Sequence, residues 1–178
     1  MSGAGKTTAM KTLEDAGYFC VDNLPIQLIK RFAEIAYDEQ IQVDNVAISV
    51  DIRSGRALSQ LNACLNDMKE NGYQYEILFM ECSDEKLVKR FKETRRNHPL
   101  SAKNGRIIDG IKKERELISF IKDEADYIID TTNLLVREFK SELDKIFVQN
   151  MEYGNFIITI MSFGFKYGIP ADSDLVFD

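Results

Sequence analysis

The stretch "MSGAGKTT", residues 1–8, decides the fold. Its GKT triplet at residues 5–7 ends the pattern G-x-x-x-x-G-K-[ST], whose first glycine would stand immediately before Met1. In such loops the backbone N–H groups surround phosphate oxygens, and the helix that follows adds the positive end of its dipole. We therefore expect a phosphate-binding loop from Met1 to Thr7. The alternative is a glycine-rich segment that only caps a helix through Ser2 or Thr7.

The loop contains the residue types that a nucleoside triphosphate requires. Gly3 and Gly5 let the backbone turn its N–H groups toward phosphate oxygens. We expect Lys6 to contact the β- and γ-phosphates, Thr7 to bind Mg²⁺ through its hydroxyl, and Thr8 to contact the α-phosphate. Lys6 is thus a predicted catalytic residue, and Thr7 is a predicted metal ligand.

The order of helices and strands predicts an α/β domain. Strands that alternate with helices join through right-handed crossovers and form a parallel sheet. We expect a doubly wound, kinase-like P-loop NTPase domain over residues 1–150, with the strand that leads into the loop missing. The predicted helices cover residues 7–17, 24–40, 55–72, 83–96, 109–125 and 134–149, and the predicted strands cover residues 18–23, 45–52, 75–82 and 126–131.

A segment of different amino-acid composition follows this domain. Residues 155–178 are rich in strand formers and turn residues. They are too few to form an independent core. We expect them to be the beginning of a truncated second domain.

Composition limits the classes of protein. The chain has 178 residues, 44% of them hydrophobic, and 23 Lys and Arg against 29 Asp and Glu give a net charge of −6. An acidic chain has no general attraction for nucleic acid or anionic lipid, so phosphate chemistry must depend on local basic groups. The three cysteines are well separated and odd in number, which does not fit a disulfide framework or a zinc site. The sequence shows no membrane-spanning run and no signal-peptide pattern, so we expect a cytoplasmic protein.

A magnesium site beside a phosphate loop needs a carboxylate at the end of an apolar strand. Asp51 directly follows the run VAISV and is the predicted catalytic metal ligand. In the alternative interpretation, Asp51 only caps the turn DIRSG. Glu81, which follows EILFM, is the competing candidate and ranks second because a helix starts directly after it.

A basic cluster ends the fourth predicted helix. Arg95 and Arg96 precede a turn, and paired arginines on a mobile loop can clamp a γ-phosphate, as lids do in small P-loop kinases. The alternative is a solvated basic face in which these arginines, with Lys89 and Arg90, balance nearby glutamates. Spacing alone does not decide between the two. We expect His98 to be a structural turn residue rather than a catalytic base.

Two further strand ends carry polar groups. Asp22 and Asn23 either orient an acceptor hydroxyl, as in a kinase, or cap the next helix. The sequence DTTN at residues 130–133 either lines a base-binding pocket through backbone groups or caps the last helix.

Four motifs together resemble the RapZ/YvcJ family of P-loop nucleotide-binding proteins, known in some bacteria as RNase adapter proteins. They are SGAGKTTAMKTLEDAGYFCVDNLP at residues 2–25, DIRSG at 51–55, ETRRNHPLS at 93–101 and SFGFKYGIPADSDLVFD at 162–178. The resemblance covers nearly the whole chain. It implies a domain that binds ATP and GTP with Mg²⁺ and hydrolyses them slowly.

The resemblance also implies site residues and partners. In some family members the second domain binds small regulatory RNAs and an amino-sugar metabolite, and it is associated with homo-oligomer formation. We do not carry the RNA role over, because residues 155–178 hold only the start of that domain. Without the leading strand, we expect neighbouring strands to be left unpaired and the phosphate loop to be poorly anchored, so nucleotide binding should be weak. Motif matching places the ATP loop on Met1, Ser2, Gly3, Ala4, Gly5, Lys6 and Thr7, and the GTP-binding tetrapeptide on Asp51, Ile52, Arg53 and Ser54.

Three functions are compatible with these residues. The first is a nucleotide-binding regulator with low NTPase turnover, in which Lys6, Asp51, Arg95 and Arg96 act on the nucleotide and closure biases the second domain. The second is a small-molecule kinase in which Asp22 orients the acceptor. The third is an RNA-binding adapter that acts through the second domain, for which binding must be sensitive to salt.

Overall fold

The computed structural model describes residues 1–37, 45–50, 60–102 and 105–148. Helices and strands alternate along these residues, as the sequence predicts. The helices are α1 (Lys6–Asp15), α2 (Ile26–Ala36), α3 (Leu61–Glu70), α4 (Asp84–Glu93), α5 (Ile107–Leu117), α6 (Ser119–Asp123) and α7 (Val136–Phe147). The strands are β1 (Phe19–Asp22), β2 (Val46–Ser49), β3 (Leu78–Glu81) and β4 (Tyr127–Asp130).

The helix that follows the loop, α1, shows why these segments fold as they do. Its buried residues Ala9, Thr12 and Leu13 recur at helical spacing, and the helix packs against α7 and β1. Gly17 ends it in a left-handed turn with φ 91°. The N–H groups of Gly17 and Tyr18 then satisfy carbonyls of the last helical turn, which is the usual way for a helix to stop.

The strands pair in parallel. β1 lies beside β2 with Cys20 opposite Ala47, and β3 lies beside β4 with Phe79 opposite Ile128. The parallel α/β architecture is therefore confirmed. Within the described residues, the strands form two separate two-stranded sheets, which agrees with the expectation that some neighbouring strands are left unpaired. The doubly wound strand order stays a prediction.

A cavity separates the two pairs of strands. It has a volume of about 960 Å³, and both β2 and β3 line it together with Met1 and Lys6. Apolar side chains of α2 and α3 cover another part of it, among them Ile29 and Leu65. Among the described residues, no backbone hydrogen bonds join β2 to β3, and the cavity lies between them.

One predicted helix is interrupted in the structure. The single helix predicted over residues 109–125 is two helices, because the chain leaves helical geometry at Ile118 (φ −109°, ψ 9°) and starts α6 at the next residue. Ile118 is buried, so its side chain packs into the core at this bend. The predicted second domain at residues 155–178 lies outside the described residues.

Candidate phosphate-binding site

The loop at residues 1–5 has a compact, glycine-dependent shape. Gly3 and Gly5 both take left-handed conformations, with φ 81° and φ 113°. Neighbouring aromatic rings also leave little space, since an added Cβ would lie 3.3 Å from Phe91 at Gly3 and 3.2 Å from Phe139 at Gly5. Ala4 between them is fully buried, and its N–H donates to the carbonyl of Met1 over 3.2 Å. Glycine is therefore required at both positions for conformational and steric reasons.

The loop leads directly into the N-terminus of α1. Gly5 occupies the position before the helix, and the first turn carries Lys6, Thr7 and Thr8 with no acidic side chain. Thr7 is exposed, while Lys6 and Thr8 are partly buried. The first N–H groups of a helix have no partner within it, and the helix dipole favours anions there. The arrangement has the chemistry of an anion site.

A buried carboxylate from α5 holds the start of the loop. Glu114 Oε1 accepts hydrogen bonds from the backbone N–H of Ser2 over 2.8 Å and from the Ser2 hydroxyl over 3.0 Å. Both residues are buried. Hydrogen bonds to a charged acceptor are among the stronger ones in proteins, so this contact fixes the Ser2 backbone.

Arg90 and Thr131 hold the middle of the loop. Arg90 of α4 donates to the carbonyl of Gly3 over 3.1 Å and to the carbonyl of Thr131 over 2.8 Å. The hydroxyl of Thr131, just after β4, lies 2.9 Å from the carbonyl oxygen of Ala4. Contrary to the expectation of a poorly anchored loop, three separate elements hold it. For Arg90, the solvated basic face is the wrong interpretation, because its guanidinium bonds to the loop backbone.

The basic turn after α4 is partly structural. Arg95 (φ 52°) ends α4 in a left-handed conformation, and the N–H groups of Arg95 and Arg96 close the helix by bonding to Lys92 and Phe91 carbonyls. Both arginine side chains are exposed, so their role as a phosphate clamp stays a prediction. His98 is buried, which accords with the structural role expected of it.

Glu81, the competing magnesium ligand, is already engaged. Arg115 pairs with its Oε1, and Lys122 donates to its Oε2 over 2.7 Å. Partial burial would raise the pKa of Glu81, but the hydrogen bonds from Lys122 and Arg115 outweigh it and hold that pKa below its ordinary value. A carboxylate with both oxygens bonded to cations is a poor ligand for a metal, which favours Asp51 over Glu81.

The other predicted metal and nucleotide ligands lie outside the described residues. They are Asp51, Ile52, Arg53 and Ser54, so the structure does not test whether they approach the loop. Within residues 1–37, 45–50, 60–102 and 105–148, three or more His, Cys, Asp or Glu side chains nowhere gather in a metal-binding group. Thr7, the other predicted metal ligand, is described and is exposed at the start of α1.

The two remaining strand ends have different geometries. Asp22 ends β1 with an exposed side chain, and Asn23 after it is left-handed, with φ 57°. At the end of β4, the Asp130 carboxylate accepts a hydrogen bond from the Thr132 N–H over 2.9 Å, which makes a local turn. Thr132 in turn accepts from the N–H of Ser83. Residues 130–132 therefore tie β4 to the start of α4.

Glu114 is not among the site residues predicted from the sequence, and no anchoring role was predicted for Thr131. A signal for Glu114 was present, because it stands between Ile111 and Ile118 at helical spacing, on the face of α5 that is buried. A carboxylate on such a face needs a buried partner. No comparable pattern marks Thr131, whose role depends on contacts across the fold.

The parallel strands, the glycine-rich loop and the helix behind it define a P-loop-like α/β domain. The model of the RapZ-like N-terminal domain matches residues 1–151, and the chain belongs to this family. The predicted resemblance is thereby confirmed.

Named relatives agree with this assignment. The chain is similar to a nucleotide-binding protein of Lachnoclostridium phytofermentans, 60% identical over 178 residues, which are all of this chain and 62% of that protein. It is also similar to nucleotide-binding proteins of Agathobacter rectalis (55% identical, all of this chain and 61% of that protein) and Caldanaerobacter subterraneus (51%, all of this chain and 62% of that protein). The chain thus spans about three fifths of the length of these relatives. In the described part, every helix is too short or too polar to cross a membrane.

Proposed function

We propose that the chain binds ATP or GTP with Mg²⁺ at residues 1–8 and hydrolyses it slowly, as the nucleotide-binding part of a regulatory protein. The observation that carries the proposal is the loop itself, in which two left-handed glycines precede a helix N-terminus without acidic side chains. The names of the relatives, which are nucleotide-binding proteins, support it.

The proposal gives each predicted site residue a role. The loop backbone and the first turn of α1 supply N–H groups to the phosphates, and Lys6 supplies a positive charge. Thr7 and Asp51 hold Mg²⁺, which when bound offsets the negative charge of the phosphate oxygens. Arg95 and Arg96 close over the γ-phosphate from the turn after α4.

The wider biology belongs to the same proposal. Nucleoside triphosphates and unpaired cysteines, as Cys20, Cys64 and Cys82 are here, are typical of the cytoplasm. Homo-oligomer formation and an amino-sugar, regulatory RNA or protein partner would involve the part of the longer relatives that this chain does not match.

A small-molecule kinase is the second candidate, because Asp22 is exposed at the carboxyl end of β1, where an acceptor hydroxyl would approach. In a kinase, one class of metabolite would stimulate ADP release many-fold. In a regulator, no such stimulation occurs. Release of ADP in the presence of sugar, nucleoside and amino-sugar panels separates the two.

The test of the binding site compares two lysines of α1. Lys6→Ala removes the charge on the phosphates, while Lys11→Ala removes an exposed lysine one turn further along and serves as the control. Calorimetric titration with ATP and with GTP, each with and without Mg²⁺, should show affinity at least about tenfold weaker for Lys6→Ala alone. Equal affinities for the two variants would contradict the proposal.

A second arm uses the cavity between the strand pairs. A β-branched strand followed by glycine, added before Met1, would place an extended segment beside β2 and β3. We expect the extended chain to bind nucleotide more tightly than the chain without it. If neither chain binds, the loop is not a nucleotide site.

A further inference from the structure

The phosphate loop and the basic turn after α4 meet at one buried polar network. It consists of His98, Glu114 and Ser2, and all three residues are buried, with 2% exposure for both His98 and Glu114. His98 Nε2 lies 2.7 Å from Glu114 Oε2, and Glu114 Oε1 accepts the two hydrogen bonds from Ser2. The network therefore runs from the turn that carries Arg95 and Arg96, through α5, to the loop.

The hydrogen bonds fix the position of the proton on His98. The backbone N–H of Leu100 donates to His98 Nδ1 over 3.1 Å, so Nδ1 is an acceptor. The ring proton is then on Nε2, and Nε2–H donates to Glu114. Every polar atom of the ring has a partner, and the carboxylate receives hydrogen bonds on both oxygens.

Packing holds the histidine in this orientation. The ring of His98 lies edge-on to Phe91, with centroids 5.2 Å apart. On its other side α5 approaches so closely that a Cβ at Gly110 would lie 2.5 Å from Nδ1. Phe91 also lies beside Gly3, since a Cβ added at Gly3 would be 3.3 Å from its ring, so apolar packing joins the same two segments. The turn and the loop are thus connected by a polar and an apolar contact together.

We propose that His98 and Glu114 are positioning residues of the phosphate loop: they set the direction of the Ser2 backbone, and they couple the loop to the turn that carries Arg95 and Arg96. The consequence for nucleotide binding depends on the proposed function, whereas the effect on the loop does not. A loop whose backbone is already ordered before binding loses less conformational entropy when it binds phosphate.

Two substitutions of the histidine separate positioning from simple packing. His98→Leu puts an apolar side chain of similar length in the same place and removes the donor to Glu114. His98→Gln keeps an N–H donor. The readout is amide hydrogen exchange of Ser2 followed by NMR, compared with amides of β3 as a measure of global stability. We expect Ser2 exchange in His98→Leu to rise about tenfold or more beyond any change in β3, as for one lost hydrogen bond to a charged group. His98→Gln should stay close to the unmodified chain.

Glu114→Gln provides an independent variant. If the Gln oxygen stayed on the Ser2 side, its NH₂ group would face His98 Nε2–H, or the histidine would change tautomer and its Nδ1–H would face the N–H of Leu100. If the oxygen stayed on the His98 side, the NH₂ group would face the backbone N–H of Ser2. One donor thus faces another in either case, so Ser2 protection should fall although the side-chain volume is unchanged. Ser2 exchange that follows β3 in both His98→Leu and Glu114→Gln would overturn the proposal.

ATP titration distinguishes this inference from the proposed function. Affinity that falls in Lys6→Ala and also in His98→Leu supports both. Affinity that falls in Lys6→Ala while His98→Leu changes neither affinity nor Ser2 exchange overturns only the positioning role. If ATP affinity is unchanged in Lys6→Ala, the proposed nucleotide site is wrong. Even then, a selective loss of Ser2 protection in His98→Leu would support His98 and Glu114 as residues that position the loop.

Discussion

Gly110→Ala should destabilise the chain, although glycine to alanine within a helix normally does the opposite. Gly110 is buried in the first turn of α5. A methyl group there would lie 2.5 Å from His98 Nδ1 and 2.7 Å from the Ser101 hydroxyl, well inside contact distance. The His98 ring has little room to move, because Glu114 bonds one edge and Leu100 the other.

The magnitude combines three contributions. Crowding of a packed interior costs about 1–3 kcal/mol, and weakening the hydrogen bond from His98 to a carboxylate costs about 1.5–3 kcal/mol. The better helix propensity of alanine offsets about 1 kcal/mol. We therefore expect a loss of about 3 kcal/mol in the free energy of unfolding, or a melting temperature lower by roughly 6–12 °C for a domain of this size.

The assay is thermal and urea unfolding followed by circular dichroism, in a double-mutant cycle. In the His98→Ala background the ring is absent and only the Ser101 hydroxyl, which can rotate, stays close to the added methyl. Adding Gly110→Ala should therefore cost clearly less there than it does in the unmodified chain. Gly17→Ala is a contrasting control, because its Cβ would meet nothing within 4 Å and only the left-handed φ of 91° opposes it. An unchanged or raised melting temperature for Gly110→Ala alone would refute the described contact between α5 and His98.

Two further predictions concern carboxylates. Because Lys122 and Arg115 hold the pKa of Glu81 below its ordinary value of 4.5, this group stabilises the fold fully above about pH 4.5, and the contribution is lost as pH falls through the lower folded value. Arg115→Gln should therefore lower the melting temperature at pH 7. It should also reduce the difference between the melting temperatures at pH 7 and at acid pH, and a difference equal to that of the unmodified chain would contradict the ion pair. Asp51→Asn should weaken nucleotide affinity measured with Mg²⁺ more than affinity measured with EDTA. If Glu81→Gln shows this pattern instead, Glu81 rather than Asp51 is the preferred magnesium ligand.

The sequence was sufficient for the local features of the fold. The residues around Gly5 and Lys6 define a loop before a helix, and hydrophobic periodicity located the described helices and strands, because both signals depend on near neighbours. The bend at Ile118 was missed, since the helical pattern of α5 continues through it. The separation of the strands into two pairs agrees with the expectation of unpaired neighbouring strands, but the sequence did not indicate which strands pair, since pairing depends on residues far apart in the chain.

The sequence was insufficient for the roles of charged residues. Arg90 belongs to a basic run that also contains exposed Arg95 and Arg96, yet only its guanidinium is shown bonding to the loop. Glu81 follows a strand as a metal ligand would, yet it pairs with Arg115. In both cases the residue type was informative, and the direction of the side chain depended on distant partners.

The contacts that hold the phosphate loop explain this division. Ser2 bonds to a residue 112 positions away, and Ala4 to one 127 positions away. A local motif therefore specifies which ligand the loop suits, while its backbone geometry depends on α4, α5 and the end of β4. The residues that would bind the ligand are thus in the motif, whereas the residues that hold the loop in shape are elsewhere in the chain. Substitutions at His98 or Glu114 should therefore change nucleotide affinity through the shape of the loop. The same substitutions should leave the preference between ATP and GTP unchanged, since the base lies beyond the phosphates that the loop is proposed to bind.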